Sequence, residues 1–262
     1  MNVQFLWVYP VKSLAGIRVE ALDLDDFGPA HDRRWMLVDD NGRFVTQRTH
    51  PELAKIKTSL AAGEVGVEIP GYGSFALEPT ERRLEAKVWG DQVNTVLGAE
   101  EANAAVSAFC QRSLRFVFMP EDSFRQIDPD YVTSRRRVGF ADGYPLLIAN
   151  QASLEELNGR LRDPVEMRRF RPNVVVSGFT AWQEDHWREL SVGTVRLSLA
   201  KPCSRCVMTT VDPEVGVKDS DGQPLKTLSG YRRQKEGVIF GMNAIHQSRG
   251  CLSVGDPVSV IA

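Results

Sequence analysis

Two cysteines separated by two residues give this sequence its clearest capacity for chemistry. They lie in the segment Lys201-Pro202-Cys203-Ser204-Arg205-Cys206, between two runs of apolar and β-branched residues. We therefore predict that both cysteines sit on a short turn between two strands. A C-x-x-C pair is typical of three kinds of site: a structural zinc site, a redox-active dithiol, or one thiolate that binds a soft metal.

The surroundings favour the single-thiolate interpretation over the other two. A structural zinc site usually takes four cysteine or histidine ligands, whereas Cys110, Cys251 and the four histidines are scattered along the chain. A thioredoxin-like dithiol lies at the start of a helix, and the predicted flanks here are strands. Arg205, next to Cys206, would favour the thiolate form. Two buried structural thiols remain an open alternative.

Three further clusters of polar residues could bind an anion. Lys12-Ser13 follows an apolar run and offers a point charge and a hydroxyl to a phosphate. Asp32-Arg33 would hold a guanidinium group in a fixed orientation. The segment Arg168-Arg169-Phe170-Arg171-Pro172-Asn173 places three arginines and an amide before a strand, where guanidinium groups can make two-point contacts with phosphate. For each cluster, a solvated surface turn or ion pair is the alternative.

Five motifs in this order resemble one family, the MOSC proteins that carry an N-terminal β-barrel domain. Members with similar motifs include the mitochondrial amidoxime-reducing components and the bacterial YcbX-type proteins. The resemblance extends over nearly the whole chain. The motifs are Tyr9-Pro10-Val11-Lys12-Ser13, Asp32-Arg33-Arg34-Trp35, Val45-Thr46-Gln47-Arg48, Arg169-Phe170-Arg171-Pro172-Asn173 and Cys203-Ser204-Arg205-Cys206-Val207-Met208-Thr209-Thr210-Val211-Asp212-Pro213.

The resemblance implies a molybdenum cofactor, Mo-molybdopterin, held in a cleft between two domains. In the family, molybdenum takes two dithiolene sulfurs from the pterin and one sulfur from a protein cysteine. That cysteine matches Cys206, which is then both the metal ligand and the catalytic residue. Asp32, Gln47, Arg48 and Asp212 lie in the motifs and are expected to support the site. The residues expected to bind the cofactor are Lys12, Ser13, Arg33, Arg171, Asn173, Ser204, Arg205 and Cys206.

The implied activity is that of an oxidoreductase that reduces N-hydroxylated compounds, such as hydroxylamines, amidoximes or N-hydroxylated nucleobases. The ferredoxin domain of the YcbX-type proteins has no counterpart in the sequence up to Ala262. Electrons are therefore expected from a separate protein, either a ferredoxin or flavin reductase or a b-type cytochrome. An alternative from a different class is a sulfur-carrier or cofactor-transfer protein with a persulfide on Cys206. A β-barrel binding protein without a metal is the third interpretation.

Short strands with frequent turns predict a mostly β (α+β) fold that positions these residues. We predict an N-terminal β-barrel-like domain over residues 1–95, a connecting helix and strand over 96–120, and a MOSC β-barrel domain with a few helices over 121–262. The individual elements expected are hairpins over 35–48 and 87–96, a helix over 100–112, a second helix with Ser153 as N-cap and Glu156 in a capping box, and strands over 173–177, 194–199, 206–211 and 258–261.

The overall composition limits the function further. A net charge of −2 gives no reason to expect a nucleic-acid partner, because binding to a phosphate backbone needs a marked basic excess. No window reaches the roughly 18 apolar residues of a membrane span. The N-terminus lacks the basic region and cleavage site of a signal peptide, so we expect a cytoplasmic protein. Four cysteines in 262 residues are too few for a disulfide scaffold.

Overall fold

The computed structural model describes residues 1–132 and 134–262, and most of its regular structure is strand. The strands are β1 (Asn2–Val8), β2 (Ile17–Val19), β3 (Ala21–Asp25), β4 (Gly28–Pro29), β5 (Trp35–Val38), β6 (Lys57–Ala61), β7 (Glu64–Ile69), β8 (Gly73–Ala76), β9 (Pro79–Val88), β10 (Asp91–Gly98), β11 (Arg115–Phe118), β12 (Leu146–Asn150), β13 (Val174–Ser177), β14 (Glu189–Val192), β15 (Val195–Arg205), β16 (Arg233–Gln234), β17 (Gly237–His246), β18 (Gly250–Ser253) and β19 (Val258–Val260). The α-helices are α1 (Glu100–Cys110), α2 (Gln151–Asn158) and α3 (Leu225–Tyr231), and the 3-10 helices are Pro51–Lys55, Met167–Phe170, Gln183–His186 and Val207–Thr210.

The largest sheet brings the first strand of the chain together with the second half. Its strand order is β19-β14-β15-β17-β12-β13-β1-β2, and β16 pairs with β17. β1 runs antiparallel to β13, with Leu6 opposite Val174. Both side chains are fully buried in the core of this sheet. The segment that follows β1 therefore leaves the large sheet and enters the other half of the molecule.

Three smaller sheets complete the fold, with the orders β5-β11-β10-β9, β18-β3-β4 and β6-β7-β8. Trp35, Leu37 and Phe116 lie in a second apolar core, which is separate from the core of the large sheet. The predicted mostly β class is confirmed. Within the described residues, hydrogen bonding leaves each sheet open instead of closing it into a barrel.

The first predicted helix is confirmed, and the predicted cap of the second is wrong. α1 buries Ala102, Ala105 and Val106, as the helical period of the apolar residues predicts. The N-cap of α2 is Asn150, whose side chain accepts a hydrogen bond from Ala152 N at 3.2 Å. Because β12 runs directly into α2, the helix begins before Ser153, and that hydroxyl donates to Glu184 instead. No helix in the described ranges is long and apolar enough to cross a bilayer.

The strand predicted over 206–211 is a 3-10 helix instead. Its β-branched residues suggest a strand, but the Thr209 hydroxyl donates to Cys206 O at 3.0 Å and the Thr210 hydroxyl donates to Val207 O at 2.7 Å. These local bonds compete with strand pairing. Cys203 also lies within β15 and not on a turn. Cys206 consequently stands alone at the end of a long strand, where the chain bends.

The two predicted hairpins differ in how completely they form. The hairpin over 87–96 is confirmed, since β9 and β10 pair and Val88 lies opposite Asp91. In the hairpin over 35–48, β5 meets its return segment only through a bridge between Val38 and Phe44 and one hydrogen bond from Val45 N. The return segment also bonds to β9, since Phe44 N donates to Lys87 O at 3.1 Å and Lys87 N donates to Gly42 O at 2.8 Å.

Replacement of Phe240 tests the packing beneath the site. The rings of Phe170 and Phe240 stack with centroids 3.8 Å apart, and Phe170 directly precedes Arg171. Because both rings are fully buried, we expect Phe240→Ala to lower the free energy of unfolding in urea by about 3–5 kcal/mol. The control Phe124→Ala removes a ring that is 39% exposed and should lower it by less than about 1 kcal/mol. Equal losses would contradict a supporting role for the stack.

Candidate functional site

A cleft of about 830 Å³ contains all eight residues that the motifs predict for cofactor binding. This volume lies within the usual range for small-molecule sites. One wall comes from the segments after β1, β4 and β9, and the other comes from β15 and the segments before β12 and β13. The eight residues are Lys12, Ser13, Arg33, Arg171, Asn173, Ser204, Arg205 and Cys206.

Three of these residues adopt a backbone conformation that is unfavourable for side chains other than glycine. Ser13, Arg33 and Arg171 have φ values of 67°, 46° and 56°. A left-handed residue of this kind costs roughly 1–2 kcal/mol. The surrounding structure holds Ser13 in place, since Gln47 Nε2 donates to its carbonyl at 2.7 Å. The fold therefore concentrates backbone strain in segments that line the cleft.

Asn173 is the centre of a hydrogen-bond network beside the cleft. It is fully buried, and its Nδ2 donates to Asp32 Oδ1 at 3.0 Å and to Trp7 O at 3.2 Å. Its Oδ1 accepts from Arg33 Nη1 at 3.1 Å and from Leu147 N at 3.2 Å. A side-chain amide has two donors and two acceptor lone pairs, so the protein itself uses the full capacity of Asn173. The residue consequently orients Arg33 and the Asp32 carboxylate paired with it at 2.5 Å.

Two guanidinium groups lie against the ring of Tyr9. The distances from the ring centroid are 4.5 Å for Arg33 Cζ and 4.1 Å for Arg171 Cζ. Burial raises the pKa of Tyr9 to about 12, although the two arginines act in the opposite direction. Burial lowers the pKa of Arg171 to about 10, and the charge of Arg33 adds to this effect. Both arginines remain cations at neutral pH.

Two donors in the cleft lack a partner. Arg171 Nη2 and Arg205 Nε are buried and have no hydrogen-bond partner among the described residues. Arg171 uses its other nitrogen, Nη1, to donate to Leu14 O at 2.6 Å. A buried donor without a partner is unfavourable by about 1–3 kcal/mol. An anionic ligand with several acceptor oxygens would satisfy these donors, and this chemistry fits a cofactor that carries a phosphate.

The thiol of Cys206 is half-buried at the start of the 3-10 helix and contacts a cation. That cation is Arg48, whose Nε donates to Cys206 Sγ at 3.3 Å. The expected neighbour, Arg205, bonds instead to Cys203 Sγ at 2.8 Å and to Phe170 O at 2.6 Å. Arg205 contacts Cys203 and not Cys206 because β15 continues through Arg205. Side chains two residues apart on a strand lie on the same side, and successive ones point to opposite sides.

The 3-10 helix Met167–Phe170 stabilises the loop that carries Cys206. Arg169 donates to Thr210 O at 3.0 Å and to Asp212 Oδ2 at 3.0 Å. Asp212 Oδ1 in turn accepts from Glu214 N at 2.9 Å and from Val215 N at 3.1 Å. Asp212 therefore supports the loop without lining the cleft. The motif Arg169-Phe170-Arg171-Pro172-Asn173 thus contributes both to the cleft wall and to the loop that holds Cys206.

Asp142 joins the two sides of the cleft, although no motif marks it. Its carboxylate accepts from Lys12 Nζ at 2.5 Å, from Arg48 Nη2 at 3.0 Å and from Trp89 Nε1 at 3.3 Å. Its side chain is 57% exposed and lines the cleft. Neighbouring protein atoms displace part of its hydration and raise the pKa of Asp142, but the charges of Lys12 and Arg48 outweigh this effect, so that pKa lies well below the usual range. Burial lowers the pKa of Lys12 to about 8.

Asp142 and Trp89 lie outside the five motifs, and Arg48 lies in one only as an expected supporting residue. Each gains its place from contacts with residues far away in the sequence, so the local sequence carries no signal for it. In the described part of the chain, no group of three His, Cys, Asp or Glu side chains could hold a metal ion.

Comparison with known proteins agrees with the motifs. Residues 1–113 match the MOSC N-terminal beta barrel domain, and residues 135–259 match the MOSC domain. Mitochondrial amidoxime-reducing component 1 of Mus musculus is 33% identical over 282 residues, which cover 99% of this chain and 82% of the mouse protein. The Homo sapiens protein of the same name is 31% identical over 281 residues, with coverages of 99% and 83%.

Two more distant similarities complete the comparison. Molybdenum cofactor sulfurase of Oryza sativa subsp. japonica is 28% identical over 271 residues, which cover 92% of this chain and 32% of the rice protein. The crystal structure of the YUAD protein from Bacillus subtilis has a TM-score of 0.43 and 12% identity, with coverages of 98% and 93%. The two domain matches and the near full-length relatives confirm the resemblance seen in the motifs. The chain belongs to the MOSC family and is homologous to the mitochondrial amidoxime-reducing components.

Proposed function

We propose that this protein binds Mo-molybdopterin in the cleft, with Cys206 as the metal ligand, and reduces N-hydroxylated compounds. The observation that carries the proposal is the combination of a free thiol with two buried guanidinium donors that lack partners, Arg171 Nη2 and Arg205 Nε, in one cleft. The relatives named amidoxime-reducing components support the same interpretation. The substrates would be hydroxylamines, amidoximes or N-hydroxylated nucleobases.

Different residues of the cleft would bind different parts of such a cofactor. Lys12, Arg33, Arg171 and Arg205 supply positive charge for a phosphate, and guanidinium groups bind phosphate in two-point contacts. Ser13 and Ser204 supply hydroxyl groups. Asn173 keeps Arg33 in place through the hydrogen bond at 3.1 Å. Arg48 Nε donates to Cys206 Sγ at 3.3 Å and would orient the sulfur towards a metal.

The reaction needs two electrons and two protons for each N–O bond that is cleaved, and it releases water. When bound, the cofactor supplies the metal centre that transfers the electrons. Lys12 Nζ holds a proton near the cleft at neutral pH, because its pKa is lowered only to about 8, and it donates to Asp142. We propose that the electrons come from a separate protein, a ferredoxin or flavin reductase or a b-type cytochrome.

The thiols also suggest the compartment in which the protein works. All four cysteines are free, and Cys206 must stay reduced to ligate a metal. A reducing compartment keeps thiols in this state. We therefore propose a cytoplasmic location.

An alternative role uses the same cysteine in sulfur transfer. A half-buried thiol next to the Arg48 guanidinium could carry a persulfide, and the similarity to a molybdenum cofactor sulfurase favours this role. Mass spectrometry of protein purified without reductant distinguishes the two functions. After incubation with a persulfide donor, which transfers its outer sulfur and leaves as a thiolate, a carrier would gain one sulfur atom on Cys206, whereas the reductase would bind molybdenum there.

Substitution of each cysteine of the pair tests the metal ligand. Protein produced with molybdate in cells that make the pterin should contain close to one molybdenum per chain, measured by elemental analysis. Cys206→Ser should reduce this content at least about tenfold, because the oxygen is a poor replacement for a soft thiolate ligand. Cys203→Ser is the matched control and should retain the metal. Equal loss in both variants would contradict the assignment of Cys206.

The reductase activity is tested with an artificial electron donor. Wild-type protein loaded with molybdenum should convert benzamidoxime to benzamidine with reduced methyl viologen, followed by chromatography of the product. Cys206→Ser should lower the rate per chain at least about 100-fold, because a catalytic metal site loses its anchoring ligand. Fully loaded wild-type protein that fails to reduce any of several N-hydroxylated compounds would contradict the proposed activity.

The charge of Lys12 should make cofactor retention depend on pH. Because its pKa is about 8, the side chain is positive at pH 7 and largely neutral at pH 10. A phosphate beside it should lose a charged hydrogen bond as the pH rises, which weakens binding about tenfold to 100-fold. The measurement is the molybdenum remaining after dialysis at each pH. Lys12→Arg, which stays charged, should retain the cofactor equally well across this range. An equally flat wild-type profile would contradict the contact.

A further inference from the structure

Trp89 is an exposed aromatic residue at the opening of the cleft, on the hairpin tip between β9 and β10. Its side chain is 45% exposed, and its φ is 53°, a value that is unfavourable for a bulky residue. Gly90 follows it, and a Cβ atom there would meet nothing within 4 Å. The turn itself therefore gives no reason for a tryptophan at this position. Strain at an exposed aromatic residue points to a role in binding.

Three contacts fix the indole ring in its orientation. Phe44 lies at a centroid distance of 5.0 Å, and Arg48 Cζ lies 4.7 Å from the ring centroid. The indole Nε1 donates to Asp142 Oδ1 at 3.3 Å. Arg48 also contacts Cys206 Sγ at 3.3 Å. Trp89 is thus separated from the thiol by a single side chain, and both residues line the same cleft.

Asp142 keeps hydrogen-bonding capacity on the same side of the cleft. A carboxylate has about four lone-pair sites, and its three contacts with Lys12, Arg48 and Trp89 leave one free. The side chain is 57% exposed. The residues expected to bind the cofactor include neither Asp142 nor Trp89, so this part of the cleft is available for the substrate.

We propose that Trp89 and Asp142 form the wall that recognises the substrate. This inference rests on the proposed function and assigns the residues that set specificity in the same cleft: they favour flat N-hydroxylated compounds with an N–H group beside the N–O bond, such as aromatic amidoximes, over aliphatic hydroxylamines. The indole offers an apolar surface for the flat group. Asp142 accepts the N–H hydrogen bond, and its charge also favours the cationic amidine product. Aliphatic hydroxylamines without an N–H group gain neither contact.

The kinetic test compares Trp89→Ala with Tyr72→Ala in the molybdenum-loaded protein. Tyr72 is a matched control, because it is 48% exposed at another hairpin tip and does not line the cleft. Trp89→Ala should raise the KM for benzamidoxime about tenfold. Its kcat, its molybdenum content and its KM for N,N-diethylhydroxylamine should stay within about twofold of the wild type. Tyr72→Ala should match the wild type throughout.

Calorimetry of product binding tests the wall without turnover. Oxidised, molybdenum-loaded wild type should bind benzamidine about tenfold more tightly than neutral benzamide, because only benzamidine carries a charge for Asp142. Trp89→Ala should weaken both ligands, and Asp142→Asn should remove the difference between them. Equal affinity of the wild type for both ligands would overturn the role of Asp142.

The remaining outcomes separate this inference from the proposed function. An unchanged KM for benzamidoxime in Trp89→Ala, or an equal rise for both substrates, would overturn the recognition wall while the reductase stands. Loss of molybdenum in Trp89→Ala would assign the ring to support of Arg48 and would also overturn it. If the wild type reduces neither substrate, the proposed function fails, and the benzamidine affinities still decide whether the wall exists.

Discussion

The buried amide of Asn173 is the contact on which the geometry of the cleft depends. It joins Trp7 on β1 and Leu147 on β12 to the Asp32–Arg33 pair, through four hydrogen bonds between 3.0 and 3.2 Å. Because all donors and acceptors of the amide are used, the two halves of the molecule are held in one relative position. A buried network with every member satisfied is rigid. The cations that line the cleft and the thiol of Cys206 are therefore held at fixed positions around one space.

Positive charge exceeds negative charge in this space, since eight lysine and arginine side chains line the cleft against four carboxylates. Lys12 and Arg171 have lowered pKa values because burial disfavours their charged forms. Ser13, Arg33 and Arg171 also adopt strained backbone conformations. An anionic ligand in the cleft would offset the buried positive charge of Lys12 and Arg171. Groups held ready for a ligand bind it without the further loss of conformational freedom that ordering them would require.

The sequence predicts the residues expected to bind the cofactor better than it predicts Asp142 and Trp89. The motifs identify residues that the structure brings together, because short ordered segments carry Lys12, Arg33 and Asn173 as fixed neighbours of apolar strands. Asp142 and Trp89 could not be predicted, because their roles come from contacts with Lys12 and Arg48 that only the folded chain forms. The strand expected over 206–211 failed for a local reason: threonine hydroxyls bonded to the preceding carbonyls and formed a 3-10 helix.

X-ray absorption at the molybdenum edge tests the central claim most directly, because it counts the sulfur atoms bound to the metal. The spectra of wild-type and Cys203→Ser protein should show the same number of sulfur ligands. Any metal retained by Cys206→Ser should show one sulfur ligand fewer, because the protein sulfur is missing. An unchanged sulfur count in Cys206→Ser, or the loss of a sulfur in Cys203→Ser, would contradict the assignment of Cys206 as the ligand.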